Sequence, residues 1–225
     1  MIKISNLNFS VQDGQAKRRI LNNVNFVADR GTATVISGVS GSGKTTFLHA
    51  LSGMLPEIDS GDIVMGDVDL YKIAPDKRDE FRLHHMGIIF QNFNLFSYMN
   101  VMDNILLPFY AQGTKPQSSD INKALDMLNL LQLTHINHQK SIELLSGGEQ
   151  QRVAIIRALI TNPEIIVCDE PTANLDQSNS HIFYENISKL ASSENIAVII
   201  VSHDPIAHQY CHFSCKMVDG ELEIL

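Results

Sequence analysis

The chain has no long apolar segment and little positive charge. No apolar run approaches the ~18 residues that a bilayer span requires, and the start MIKISNLNF lacks the basic and apolar regions of a signal peptide. Lysine and arginine number 17 against 25 aspartates and glutamates, for a net charge of −8. This balance argues against the basic surface of nucleic-acid-binding proteins. We therefore expect a cytoplasmic protein with no nucleic-acid partner, which reaches a membrane only through another protein.

Cysteine is scarce as well, at three residues, and this is typical of a reducing compartment. Cys168 lies inside an apolar run and is typical of a small core residue. Cys211 and Cys215 lie near His208 and His212, which raises the alternative of a zinc site. Their spacing matches no common zinc pattern, so we interpret them as packed or solvated side chains.

The chain does have the composition of a globular protein, with 44% apolar and 19% charged residues. Residues 1–30 alternate apolar and polar positions around a turn at Asp13 and Gly14, which predicts an antiparallel hairpin. The runs TATVIS, MGIIFQ, EIIVCDE and IAVIIVSHD are predicted strands, and residues 61–70 are predicted as another. Strands that alternate with helices predict a parallel sheet covered on both faces.

Helices are predicted at four places between and after these strands. They are KTTFLHALSG, SDINKALDMLNLLQL, residues 147–161 and residues 179–192, and the whole stretch 92–141 has a helical pattern. In the second helix the apolar residues recur at helical spacing. These residues are Ile121, Leu125, Leu128 and either Leu131 or Leu133.

The first candidate site is the glycine-rich loop GVSGSGKTT at residues 38–46. It fits the pattern G-x-x-x-x-G-K-[ST] and stands between a predicted strand and a predicted helix, as a phosphate-binding loop requires. Glycines let consecutive backbone N–H groups turn toward phosphate oxygens. Lys44 adds a charge for the β- and γ-phosphates, and the Thr45 hydroxyl can bind Mg²⁺. The predicted nucleotide-binding residues of this loop are Gly38, Ser40, Gly41, Ser42, Gly43, Lys44, Thr45 and Thr46.

Three of the predicted strands end in polar residues that suit hydrolysis. Asp169 and Glu170 end EIIVCDE; Asp169 can hold Mg²⁺, and Glu170 can accept a proton from an attacking water. His203 and Gln91 have the same placement after their own strands, where ligands gather in open parallel sheets. Taken alone, His203 fits a structural role equally well. Gln91 could contact Mg²⁺ and the water, or could merely cap its strand.

A second glycine-rich turn, LLSGGEQQR at residues 144–152, runs directly into an amphipathic helix. This is the arrangement of an anion site at a helix N-terminus, but it contains no lysine. Taken together, these motifs resemble the ATP-binding subunits of ABC transporters. The resemblance covers nearly the whole chain and follows the family's order: GVSGSGKT, the glutamine of FQNFNLF, LSGGEQQR, VCDE, NLD at 174–176 and the histidine of VSHD.

The resemblance implies an α/β fold of the P-loop NTPase (RecA-like) type, with a parallel sheet core, an antiparallel β subdomain and a helical subdomain. Residues 1–225 would form a single ABC ATPase domain, with 1–91 and 142–225 as the core lobe and 92–141 as the helical subdomain. It also implies ATP hydrolysis with Mg²⁺ bound near Thr45, Gln91 and Asp169, and catalysis by Glu170, His203 and Gln91.

The resemblance further implies that two copies pair head to tail. Each LSGG turn would then cover the ATP held by the other copy's P-loop, with Ser146, Gly147 and Gly148 presenting a hydroxyl, amides and a helix N-terminus to the γ-phosphate. Asp176 would reach across the dimer seam. Integral membrane permease subunits are the other implied partners, which would hold the chain at the inner face of the cell membrane.

Within the family, GVSGSGKTTFLHALSGM, FQNFNLFSYMNVMDNILLPF and DEPTANLD are similar to the lipoprotein-releasing (LolD-like), macrolide-efflux (MacB-like) and cell-division (FtsE-like) ATPases. Three alternatives stay open: the ATPase of an amino-acid importer, a regulatory or mechanical ATP switch in a membrane complex, and a soluble ABC protein of DNA repair or translation. The last would need long coiled-coil insertions or two cassettes, which this length does not provide.

The chain departs from the family's pattern at two places. Where the family has an aromatic residue that stacks on adenine, this chain has Val11, with Phe9 two residues earlier. Before LSGG it has Ile142 and Leu144 in place of a proline and a polar residue. The stretch 92–110, rich in Phe, Leu, Met and Tyr, is either core of the helical lobe or a groove for a short helix of the membrane subunit.

Overall fold

The structure is a computed structural model that describes residues 1–14 and 16–225. Its strands are Ile2–Asp13 (β1), Ala16–Ala28 (β2), Ala33–Ser37 (β3), Ser60–Met65 (β4), Val68–Asp69 (β5), Met86–Ile89 (β6), Ile165–Asp169 (β7), Ala197–Val201 (β8), Phe213–Val218 (β9) and Glu221–Ile224 (β10). Its helices are Lys44–Leu51 (α1), Pro75–His85 (α2), Val101–Ala111 (α3), Ser118–Leu130 (α4), Gly147–Leu159 (α5), Gln177–Glu194 (α6) and Ala207–Tyr210 (α7). A 3₁₀ turn, Ile142–Leu144, precedes α5.

The central sheet has the strand order β10-β9-β3-β8-β7-β6. Its neighbouring strands from β9 to β6 pair in parallel, and β10 adds an antiparallel edge. Apart from Asp169 at the end of β7, strands β7 and β8 are fully buried and consist of aliphatic residues and one cysteine, because both faces of the sheet are covered. The predicted parallel sheet and α/β fold class are therefore confirmed.

A second, antiparallel sheet has the order β2-β1-β4-β5. The predicted hairpin is its long β1–β2 pair, in which Ile2 pairs with Ala28 and Asp13 with Ala16. Residue 15, between these strands in the sequence, lies outside the described residues. The segment 61–70 is two short strands instead of one. The chain turns between them at Gly66, which has a left-handed φ of 60°.

Two apolar clusters hold these layers together. One packs α1 between the antiparallel sheet and one face of the central sheet, with Phe26 and Phe47 in edge-to-face contact at 5.5 Å. The other packs α3, α4, α5 and α6 against the opposite face. Since each face of the central sheet is covered by its own cluster, the polar ends of its strands are left as the accessible edge.

Helix α2 was not predicted from the sequence. It begins with Pro75 at its first turn, a favoured position, but buries only Arg78, so it has no apolar stripe to detect. The stretch 92–141 contains α3 and α4 joined by turns. In α4, Ala124 and Leu128 are buried, whereas Ile121 and Leu125 are partly exposed.

Candidate functional site

The loop between β3 and α1 is shaped by close backbone contacts. A Cβ at Gly38 would lie 2.5 Å from the Met217 carbonyl oxygen, and one at Gly43 would lie 2.9 Å from the Ile20 carbonyl oxygen. Both residues also have positive φ angles, 155° and 106°. Only glycine fits these two positions, and the loop therefore curls tightly at the N-terminus of α1.

Lys44 lies across this loop and is 8% exposed. Its ammonium donates hydrogen bonds to the carbonyl oxygens of Gly38, at 2.8 Å, and Val39, at 2.9 Å. The ammonium is thus bound to neutral carbonyl oxygens of its own loop. An anionic phosphate oxygen would be a stronger acceptor than either of them. Ser42 is buried as well, and its hydroxyl lies so close to Gly38 that an added Cβ there would approach it to 2.8 Å.

Thr45 and Asp169 bring two elements together. The Thr45 hydroxyl, at the start of α1, donates to Oδ1 of Asp169, at the end of β7, at 3.2 Å. Burial raises the pKa of Asp169, and the hydrogen bond from Thr45 opposes that shift. A hydroxyl and a carboxylate at one point are hard oxygen donors of the kind that Mg²⁺ prefers, so these residues fit the cation.

Glu170 follows directly and adopts a left-handed backbone conformation with φ 45°, which is uncommon for a residue with a side chain. Its N–H donates to the Val201 carbonyl oxygen at 2.9 Å, which joins the ends of β7 and β8. Its Oε2 accepts the His203 backbone N–H at 3.2 Å and lies 2.7 Å from Nδ1 of the same ring. The two side chains therefore form one hydrogen-bonded pair.

Most of these groups face a cavity of about 760 Å³, while Ser42 and Asp169 are not among its described lining residues and Asp169 reaches it only through Thr45. Its lining comprises Arg18, Ile20, Gly38, Val39, Ser40, Gly41, Gly43, Lys44, Thr45, Thr46, Gln91, Glu170 and His203. Gln91 lies just beyond β6, and its carbonyl oxygen accepts a hydrogen bond from the Asn174 side chain at 3.2 Å. The structure thus places Gln91, Glu170 and His203 beside the P-loop, as their end-of-strand positions predicted.

Sequence reasoning missed Arg18 and Ile20, which form the cavity wall contributed by β2. Val11 pairs with Arg18 across the hairpin, but neither Val11 nor Phe9 lines this cavity. The hairpin prediction contained a usable signal, because pairing across it places a β2 side chain next to Val11. No aromatic residue is part of the cavity lining that the structure describes.

The LSGG turn lies elsewhere on the molecule. Ser146 is the N-cap of α5: its N–H and its hydroxyl both donate to Glu149 Oε2 at 2.7 Å, and Glu149 N–H returns a bond to Ser146 Oγ at 3.4 Å. Ser146 and Gly147 are exposed, and a Cβ added to Gly147 would meet nothing within 4 Å.

Asp176 is the N-cap of α6, and its Oδ1 accepts a hydrogen bond from the Asn179 backbone N–H at 2.9 Å. Among the described residues that line the P-loop cavity, none belongs to either cap.

Hydrogen bonds lower the pKa of a carboxylate in each of these two helix caps. Hydrogen bonds from Ser146, and then from His135, lower the pKa of Glu149 to about 2. The His135 ring nitrogen Nε2 lies 2.8 Å from Oε1 of this carboxylate. Hydrogen bonds from the Asn179 backbone and from the Ser178 side chain likewise lower the pKa of Asp176. Both caps therefore keep an ionised carboxylate at the first turn of a helix, where it is stabilised.

A second cavity, of about 560 Å³, is a mainly apolar groove between α2, β6, α3 and α5. Within the stretch 92–110, Val101 and Ile105 are buried in the core, while Phe96 and Pro108 line the groove. Leu144 is 70% exposed near the LSGG turn. Within the described part of the chain, none of the helices combines the length and apolarity needed to cross a membrane.

The cysteine and histidine residues near the C-terminus have packing partners. The amide of Ala33 donates to Nδ1 of His212 at 3.0 Å, and the Nδ1 atom of His208 lies 2.9 Å from the Ser214 hydroxyl. Cys215 is buried in β9. Burial also raises the pKa of the Cys211 thiol to about 12, so this group stays protonated at neutral pH.

A P-loop with its lysine, a Thr–Asp oxygen pair and a Glu–His pair around one cavity define a nucleoside-triphosphatase. The sequence model of the ABC transporter family matches residues 21–173, so the chain belongs to this family. It is an ATP-hydrolysing ABC cassette, as its motifs predicted.

Similar proteins are found by sequence and by structure. The lipoprotein-releasing system ATP-binding protein LolD of Colwellia psychrerythraea is 34% identical, over 100% of this chain and 86% of the relative. The protein of the same name from Buchnera aphidicola is 40% identical, over 91% of this chain and 89% of the relative. The dimeric ABC transporter cassette MJ0796 superimposes with a TM-score of 0.89 at 30% identity, covering 99% of this chain and 97% of that one. It has also been solved in a dimeric post-hydrolysis state with ADP and Pi.

Proposed function

We propose that the chain is the ATPase subunit of a transporter of the lipoprotein-releasing type, and that it works as a head-to-tail pair on membrane permease subunits at the cytoplasmic face. The observation that carries this proposal is that one copy holds only part of the predicted site. One copy brings the P-loop, Glu170 and His203 around one cavity but leaves its own LSGG turn outside. The names of the LolD relatives, which match nearly the whole chain, support the subgroup.

In this proposal the P-loop holds the phosphates of ATP through its backbone amides and Lys44. Thr45 and Asp169 would hold Mg²⁺ together with Gln91, and the cation neutralises charge that develops on the phosphates. Glu170 accepts the proton of the attacking water, while His203 contacts the γ-phosphate. The pairing of Glu170 with His203 at 2.7 Å supports their joint action.

The second copy completes each site. Its Ser146, Gly147 and Gly148 would present a hydroxyl, amides and the N-terminus of α5 to the γ-phosphate. Asp176, exposed at the start of α6, would lie at the seam between the copies. A lysine-free turn suits this position, because Lys44 of the opposite copy already supplies the positive charge.

The apolar groove beside the Gln91 loop would receive a short helix of the permease. We also propose that residues 1–91 and 142–225 act as the core lobe and residues 92–141 as a helical subdomain. The succession of α3 and α4 between β6 and α5, with no strand of the central sheet described between them, supports this division. A helix seated there would touch both parts at once.

The experiment that tests the proposal is Glu170→Gln, with the surface substitution Glu194→Gln as a charge-matched control. Glu170→Gln is expected to bind ATP, to release phosphate at least about 100-fold more slowly, and to elute as a dimer with ATP in size-exclusion chromatography. Glu194→Gln is expected to behave as the unmodified chain. Phosphate release at the normal rate by Glu170→Gln would contradict the role of Glu170. A chain that stays monomeric with ATP in both variants would contradict the shared site.

A further inference from the structure

A buried hydroxyl network lies between the carboxyl ends of β7 and β8. Its centre is Tyr184 of α6, which is 0% exposed and whose hydroxyl lies 2.8 Å from Thr172 Oγ1 and 2.9 Å from Ser202 Oγ. Thr172 follows Glu170 by two residues, and Ser202 directly precedes His203. The Tyr184 hydroxyl therefore joins the two loops that carry the proposed catalytic pair.

Asp204 closes this network into a ring. Its N–H donates to Ser202 Oγ at 3.0 Å, and its Oδ2 accepts from the Thr172 hydroxyl at 3.3 Å. Because the Asp204 carboxylate only accepts hydrogen bonds, Thr172 is the donor in that contact. With its single proton used there, Thr172 accepts from Tyr184, and Tyr184 in turn accepts from Ser202. The hydrogen bonds thus run in one direction, starting and ending on Asp204, and each hydroxyl donates once and accepts once.

Such a ring makes the two loops rigid with respect to each other. A buried hydroxyl without a partner costs free energy, so a network in which every group is satisfied resists any shift of one loop against the other. Burial raises the pKa of Tyr184, so the phenol keeps the proton that it donates. Its neighbours on α6, Phe183 and Ile187, are buried and apolar. An apolar side chain of similar size would therefore satisfy the packing at position 184. The Tyr184 hydroxyl is needed only for the hydrogen-bonded ring.

We propose that Tyr184 is a positioning residue for ATP hydrolysis, because its hydroxyl holds the loop after β7 and the loop after β8 in the alignment that keeps Glu170 and His203 together. Tyr184 is not among the described residues that line the P-loop cavity, and it acts through Thr172 and Ser202. This inference rests on the catalytic role proposed above for Glu170.

The test compares Tyr184→Phe with Tyr71→Phe in the full-length chain. Tyr71 is a matched control, since its hydroxyl also makes a partly buried hydrogen bond, to the Ala50 carbonyl oxygen at 3.0 Å, at the far end of α1. Tyr184→Phe is expected to lower kcat about tenfold and to leave KM for ATP within about twofold, because misalignment affects the reaction and not nucleotide binding. Tyr71→Phe is expected to change both constants less than about twofold. It is expected to lower Tm by about as much as Tyr184→Phe does, because each substitution removes one hydrogen-bonded hydroxyl.

A second variant checks that the effect passes through the ring. Thr172→Val removes the next hydroxyl at nearly constant volume and is expected to lower kcat to a similar degree. Since both substitutions break one ring, the double variant is expected to lose much less than the product of the two single losses. An unchanged kcat in Tyr184→Phe, an equal loss in Tyr71→Phe, or fully multiplicative losses would overturn the proposal.

Hydrogen exchange without nucleotide tests the ring independently of hydrolysis. The Glu170 and His203 amides, which bond to Val201 O and Glu170 Oε2, are expected to exchange faster in Tyr184→Phe than in Tyr71→Phe. Equal exchange in the two variants would overturn the proposal. If exchange rises at these amides although Glu170→Gln hydrolyses ATP normally, the ring is upheld and the role proposed for Glu170 fails.

Discussion

The Nδ1 atom of His203 lies 2.7 Å from Oε2 of Glu170, and the same oxygen accepts the His203 backbone N–H at 3.2 Å. Glu170 is much the less accessible of the two, with 16% of its side chain exposed against 69% for His203. An ionised carboxylate only accepts hydrogen bonds, so Nδ1 carries the donated proton. The backbone N–H and the imidazole of His203 therefore orient the proposed base together.

This pairing predicts that the two residues act as a unit. His203→Ala and Glu170→Gln are each expected to lower kcat by at least about 100-fold, since each removes an oriented partner of the water or phosphate. The double variant is expected to lie within about threefold of the slower single variant. Steady-state phosphate release at saturating ATP measures all three. Independent, multiplicative losses would show that the contact has no role in catalysis.

A mixing experiment tests whether the LSGG turn acts on the opposite copy. Lys44→Ala and Ser146→Arg are each expected to be inactive alone, because both sites of either homodimer are damaged. In a mixed dimer one site has both defects and the other has none. Equal mixing is therefore expected to restore about a quarter of the unmodified activity per chain, from the half of the dimers that are mixed.

The control for mixing is Lys44→Ala combined with unmodified chain at the same total concentration, which gives the level expected from dilution alone. A mixture of Lys44→Ala and Ser146→Arg that stays as inactive as its components would contradict completion of the site in trans.

Arg18 is predicted to contribute to nucleotide binding at the wall that lacks an aromatic residue. Arg18 lines the P-loop cavity, so its cationic side chain would be available to the base or the phosphates. Arg18→Ala is therefore expected to raise KM for ATP about three- to tenfold with little change in kcat. Arg19→Ala is the matched control, since Arg19 is the next residue on β2 and is not part of the cavity lining. Equal KM values for the two variants would exclude Arg18 from the site. Assays with GTP show whether the contact distinguishes the purines.

The α5 cap predicts a pH-dependent contribution to stability. The folded-state pKa of Glu149, about 2, lies below its ordinary value of 4.5. Its stabilisation is therefore fully present above pH 4.5 and is lost as pH falls toward 2. At pH 7, Glu149→Gln is expected to have a free energy of unfolding about 1 kcal/mol lower than the unmodified chain, and so a lower urea midpoint. The difference in urea midpoint is expected to shrink between pH 5 and 3, and a constant difference would contradict this account.

The parts of the site that could be predicted are local in sequence. The P-loop needs only β3, six loop residues and α1 in succession, and Glu170, His203 and Gln91 each follow an apolar strand. Parallel strands bring their carboxyl ends to one edge, so these separate signals converge without further information. The family and the ATPase activity follow from the same motifs.

Other features depend on contacts that no short stretch encodes. Arg18 and Ile20 reach the cavity only because the antiparallel sheet packs on the P-loop, at the close approach of Ile20 to Gly43. The ring around Tyr184 joins α6 to two loops, so nothing in α6 alone indicates it. Helix α2 escaped prediction because a largely exposed helix carries no apolar period.

Arg157 of α5 connects the groove to the nucleotide site. Its guanidinium donates to the carbonyl oxygens of Asn94, at 2.6 Å, and of Phe93, and its side chain also lines the groove. Burial lowers its pKa to about 10, so it stays charged at neutral pH. Gln91 lies two residues before Phe93, the first of the two residues that Arg157 binds. A permease helix seated in the groove, as proposed above, would therefore contact the same guanidinium that fixes the segment after Gln91, and through it could shift Gln91 relative to the P-loop.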